Sequence, residues 1–119
     1  MKRIILGLGM LFMLAQNVFA ESDMSTYIKA CNKDIKHPRT ASVSNCLKVL
    51  RYKEKYSSEY TNKSFAISYL NIGLIYDETG DDLNGYKYYM KAANLGGPAG
   101  IQAQKNLNIM CKESPWACK

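Results

Sequence analysis

From residue 24 onward, apolar positions recur at helical spacing and never at the strict alternation of a half-buried strand. Met24, Tyr27, Ile28, Cys31 and Ile35 fall on one helical face and predict a first helix. Pro38 disfavours helical geometry at His37 and ends it. Val43, Cys46, Leu47 and Leu50 form a second stripe that extends toward Tyr56, with Thr40 or Ser42 available as the cap. Residues 57–62 are a polar break. Residues 63–79 carry Phe65, Ala66, Ile67, Tyr69, Leu70, Ile72, Leu74, Ile75 and Tyr76, which leaves almost no polar side. A helix apolar nearly all round is expected at the centre of a fold. Gly80 stops it, and Asp81 or Asp82 caps a fourth helix with Tyr86, Tyr89, Met90 and Ala93 among its packing positions. Gly96-Gly97-Pro98 closes that helix. A fifth, at about 99–112, carries Ile101, Ala103, Leu107 and Met110, and Ser114-Pro115-Trp116 turns the chain toward Cys118. The expected fold is all-α, a compact bundle of about five helices.

The four cysteines strengthen that picture. Cys31, Cys46, Cys111 and Cys118 are even in number and all lie beyond residue 20. In an oxidising compartment they read as two disulfides. Cys31 and Cys46 are equidistant from the His37-Pro38-Arg39 break, and Cys111 and Cys118 are symmetric about Ser114-Pro115. Antiparallel hairpins bring such pairs side by side, so 31–46 with 111–118 is preferred among the three connectivities. A zinc site competes, but there is no C-x-x-C pair and only one His.

Residues 1–20 have their own layout. Met1-Lys2-Arg3 is basic, residues 4–14 are almost wholly apolar, and Val18-Phe19-Ala20 places small residues at a cleavage site. This is the pattern of a secretory signal peptide with Glu21 first in the mature chain, leaving 21–119 as a single domain. The apolar run is short for a membrane span, and an uncleaved anchor is the competing expectation.

Residues 69–96 contain Tyr69, Ile72-Gly73, Tyr76, Gly80-Asp81, Gly85, Tyr89 and Ala92, and end in Lys91-Ala92-Ala93-Asn94-Leu95-Gly96. This resembles a tetratricopeptide repeat, in particular its Sel-like variant with a K-A-A-x-x-G ending. Ala103 to Asn108 resembles the start of another repeat, with Asn108 where the pattern has Gly. The resemblance covers about 68–108. It implies that Gly73 and Gly85 let two helices approach closely while Tyr69, Tyr76 and Tyr89 fill the gaps around them. It also implies a ligand-facing side of the first repeat helix at Ile67, Leu70, Asn71, Leu74, Asp77 and Glu78.

Charge and chemistry narrow the function. The chain carries +6. Residues 24–63 hold nine Lys/Arg against three Asp/Glu, whereas 64–119 hold five of each. The first half suits an acidic partner, a phosphorylated surface glycan, an anionic membrane face or simply a solvated basic face. His37 sits in a turn, and Asp77, Glu78, Asp81 and Asp82 lack a calcium-loop pattern. No S-x-x-K accompanies the repeat: Ser25, Ser42 and Ser64 are followed at plus three by Ile28, Asn45 and Ile67. The expectation is therefore not an enzyme and without a cofactor or metal. Nucleic acid is set aside because the location is exported.

The nine tyrosines favour a protein interface. Ile67 and Leu70 are expected in the core. That leaves Asn71, Leu74, Asp77 and Glu78, flanked by Tyr52 and Tyr56, as the reachable patch, and the basic face of Lys48, Arg51 and Lys55 as the next candidate. The function expected is an exported protein-binding domain, most concretely a periplasmic immunity or inhibitor protein against a secreted toxin. An envelope or secretion adaptor is the alternative, and a Sel-like envelope enzyme or β-lactam binder is a second.

Overall fold

The computed structural model describes residues 21–119, so the signal-peptide expectation lies outside the described residues. Five α-helices follow one another: α1 (Glu21–Lys36), α2 (Ser44–Lys55), α3 (Asn62–Glu78), α4 (Asp82–Leu95) and α5 (Gly97–Glu113). Short 3₁₀ turns at Pro38–Thr40, Ser57–Glu59 and Pro115–Cys118 follow α1, α2 and α5. The described residues contain no strand, as the spacing predicted. None of their helices is long and apolar enough to cross a membrane.

Local chemistry sets the helix ends. Thr61 caps α3, its side chain accepting from the Ser64 amide. Asp81 caps α4, with Oδ1 accepting from the Asn84 amide at 3.2 Å and Oδ2 from the Asn84 side chain at 2.8 Å. Gly80 makes the turn between α3 and α4 at φ +92°, a conformation that costs other residues. At the start of α2, Val43 occupies the cap position with helical angles and no side-chain cap, so neither Thr40 nor Ser42 caps the helix; Ser42 Oγ accepts only from the Ser44 amide in the preceding turn, at 3.2 Å. Helix α5 begins two residues earlier than the spacing predicted, directly after Gly96.

Helix α3 is central and touches all four others, and its contact with α4 is the most extensive in the molecule. Ten of its residues are buried, Ile67 and Leu70 among them. The α3–α4 approach depends on two glycines. A Cβ on Gly73 would lie 2.7 Å from the Tyr89 ring and 3.2 Å from the Tyr89 amide nitrogen. One on Gly85 would lie 3.2 Å from the Asp77 amide nitrogen. Tyr89 and Ala92 are fully buried at this seam. Tyr69 and Tyr76 pack beside it, each against Tyr88 of α4, and both are only partly buried. Ile101, expected in the core, is 60% exposed, because α5 turns Ala99, Ala103, Leu107 and Met110 inward instead.

Helices α1 and α2 form a hairpin that lies against α3. Met24, Ile28, Cys31 and Ile35 are its buried face on α1. The Cys31–Cys46 disulfide joins the two helices, and Cys111–Cys118 ties the final 3₁₀ turn to the end of α5. Both pairings are those the hairpin symmetry favoured, and no cysteine is free. Two disulfides accord with an oxidising environment.

Candidate binding face

The reachable patch expected on α3 is largely closed. Asn71 and Leu74 are 1% and 2% exposed, because α3 is covered on both flanks. Asp77 is held from within: its Oδ2 accepts from the hydroxyl of fully buried Tyr89 at 3.0 Å. Glu78 accepts from Arg39 Nε at 3.4 Å, which ties the end of α3 to the turn after α1. Asp81 is occupied in capping, and Asp82 lies in the positive first turn of α4. Each of these four carboxylates thus has a structural place. His37 is exposed in its turn.

A second arrangement has the geometry of a nucleophile and base. Lys53 Nζ donates to Ser68 Oγ at 2.7 Å and to the Ser64 carbonyl at 3.1 Å. Burial pushes the Lys53 ammonium down to about 7. A lysine of that basicity beside a serine hydroxyl is chemically suited to general-base work. Access decides otherwise: Lys53 is 0% exposed and Ser68 is 4% exposed, so no substrate atom reaches the hydroxyl. The pair is a polar tie between α2 and α3.

The open chemistry lies along the outside of α2, α3 and α4. Seven aromatic rings form an unbroken ribbon. It starts with Tyr56 and Tyr52, whose centroids are 4.8 Å apart, and passes to Tyr60 at 6.5 Å. It continues to Phe65 at 6.4 Å and then along α3 to Tyr69, also at 6.4 Å. Tyr88 of α4 bridges Tyr69 and Tyr76, at 6.2 and 5.7 Å. All seven residues are partly buried, and six of them, all but Tyr56, are packed on the core while leaving surface to solvent.

Cations edge this ribbon. Lys55 lies over Tyr56 at 5.5 Å, Lys87 over Tyr88 at 5.7 Å, and Lys91 over Tyr69 at 5.5 Å and Tyr88 at 5.9 Å. Lys48 lies over Tyr27 of α1 at 4.7 Å. Burial raises the Tyr69 phenol above its ordinary range, with Glu54 and Tyr88 adding to the rise. Burial also raises Tyr76, with Tyr88 and Asp81 adding and Arg51 opposing. Lys48, Arg51, Lys55, Lys87 and Lys91 are exposed.

The face therefore unites the Tyr52–Tyr56 stripe and Lys55 of α2, expected from sequence, with Tyr69, Tyr76, Tyr88, Lys87 and Lys91, which were not assigned to it; Lys48 lies instead against Tyr27 of α1. The missed signal was the spacing of Phe65, Tyr69 and Tyr76, which share one side of α3. Among the described residues no group of three His, Cys, Asp or Glu side chains is arranged to hold a metal ion. The chain matches no family model, no curated protein and no solved structure.

Proposed function

We propose that the protein is an exported, non-enzymatic protein-binding domain, in its most concrete form a periplasmic immunity or inhibitor protein that neutralises a secreted toxin. The observation that carries this reading is the ribbon of seven partly buried aromatic rings edged by exposed lysines. Tyrosine offers a large, rigid contact area at low entropic cost, and rings already packed on a core lose little freedom when a partner covers them. Two disulfides and the signal-like layout of residues 1–20 support export. The close α3–α4 approach at Gly73 and Gly85, with Tyr89 and Ala92 buried, supports a tetratricopeptide or Sel-like hairpin within the domain. The closed Lys53–Ser68 pair weighs against a Sel-like enzyme or β-lactam binder.

The test has two arms. Protein recovered from the periplasm of the native host should begin at Glu21. Crosslinking there should retrieve a protein whose purified form binds the mature domain with one-to-one stoichiometry and loses its toxicity when bound. Full-length chain confined to the cytoplasm removes the export arm. A purified partner that binds but is an assembly component without toxicity shifts the reading to an envelope or secretion adaptor.

A further inference from the structure

We infer that the α2–α3–α4 face recognises an acidic protein surface, whose carboxylates pair with lysines that the aromatic rings hold in place. This rests on the protein-binding reading above and specifies its partner chemistry and location.

Two features select this occupant. First, the ring planes do not form a common platform. Successive interplanar angles are 45°, 74° and 82° from Tyr56 to Phe65, and only Tyr76 and Tyr88 stack, at 22°. A polysaccharide chain needs consecutive faces aligned along its sugar rings, which this ribbon lacks over its first half. Second, cations already sit over the rings. Lys55, Lys87 and Lys91 each lie within 6 Å of a tyrosine centroid, and Lys91 spans two. An ammonium fixed against a ring keeps its charge while losing part of its rotamer freedom in advance. It thus meets a carboxylate at reduced entropic cost. The tyrosine edges around it supply the apolar contact that a folded protein surface matches and a mobile polyanion does not.

Charge complementarity agrees. Helix α2 carries exposed Lys48, Arg51 and Lys55 against one acidic residue, Glu54. Helix α4 then adds Lys87 and Lys91 on the far bank of the ribbon. Charges so placed steer an acidic partner to the face and make the association salt-dependent.

The test uses the mature chain with both disulfides and three anionic probes. These are a glutamate-rich peptide of about twenty residues containing leucine and tyrosine, polygalacturonate of matched charge, and vesicles of anionic phospholipid. Binding is read by titration and by the tyrosine ring resonances of ¹³C-labelled protein. The peptide should bind, weaken several-fold between low and physiological salt, and shift Tyr69, Tyr76 and Tyr88. Lys87→Glu with Lys91→Glu should weaken it at least tenfold. Lys105→Glu with Lys112→Glu makes the same charge change at exposed positions of α5 and should weaken it less than threefold. Thermal melts confirm that both variants are folded.

Equal weakening by the two double variants overturns the proposal, because net charge alone would then explain binding. So does failure of the peptide to bind, or tighter binding of polygalacturonate or vesicles with the same tyrosine shifts. Failure of the broader function reads differently. A crosslinked native partner that binds the Lys87→Glu, Lys91→Glu variant unchanged leaves protein binding intact and removes this face.

Discussion

The two halves of the molecule hold together in different ways. From α3 onward, helices meet backbone to backbone. Gly73 and Gly85 remove side chains from the seam, and Gly100 does the same between α5 and α4, where a Cβ would lie 2.8 Å from the Ala92 carbonyl oxygen. The α1–α2 hairpin has no such glycines. It is joined by the Cys31–Cys46 disulfide, and its junction with α3 contains the buried Lys53 bonded to Ser64 and Ser68. The glycine-spaced half should therefore fail when atoms are added, and the stapled half when a bond is removed. A small domain buries too little surface for either device alone to suffice, which accounts for both in one chain.

The largest test of that contrast is Gly73→Leu. Even its Cβ meets the Tyr89 ring and backbone, so the substitution should cost about 3 kcal/mol or more through overpacking. An unchanged urea midpoint would mean that the α3–α4 seam is looser than described. On the other side, Cys31→Ala with Cys46→Ala should cost about 2–3 kcal/mol, the range for a closed loop of this size. Hydrogen exchange should localise the loss to α1 and α2; protection lost equally from α4 would merge the two halves into one cooperative unit.

The junctions come next. Asp77→Ala removes the carboxylate that accepts from the buried Tyr89 hydroxyl and should cost about 2 kcal/mol, the scale of a charged hydrogen bond. A substitution at Asp77 therefore reports on the fold as well as on binding.

Lys53 gives a pH signature. Its folded value of about 7 lies below the ordinary 10.5, so between these pH values the unfolded chain binds more protons and stability rises with pH. Below pH 7 both states are protonated and its contribution is constant. The rise is at most about 1.4 kcal/mol per pH unit, and its hydrogen bonds reduce it. Lys53→Met should flatten the profile between pH 7 and 9.5 at nearly unchanged stability at neutral pH. Parallel profiles for variant and parent would show that Lys53 does not set the slope. Above pH 10 the raised Tyr69 and Tyr76 oppose the rise, since their ionisation favours the unfolded chain. Smallest of all, Glu78→Ala breaks its pairing with Arg39, which is 75% exposed, and should cost under about 1 kcal/mol. A larger loss would tie the two halves more tightly than the contrast allows.

The sequence by itself determined the elements. Helical spacing, Pro38, Gly80 and Asp81 act within a few residues of chain, so five helices and their approximate ends were legible. So was the pairing of Cys31 with Cys46 and Cys111 with Cys118, because a hairpin converts position relative to a turn into distance. Gly73 and Gly85 were legible as contact points. What escaped depended on how helices arrive around α3. Cys46, Val49, Leu50 and Lys53 are the buried stripe of α2, but a lysine at its last position hid the phase. Its partner Ser68 stands fifteen residues away, beyond any local pattern. Asn71 and Leu74 looked reachable on an isolated repeat and are closed off once α3 is flanked on both sides. The aromatic ribbon is drawn from three helices and a turn, and no single segment contains more than a fragment of it. Backbone conformation follows from neighbours in the chain, whereas the face a side chain presents follows from which other helices have already covered the rest.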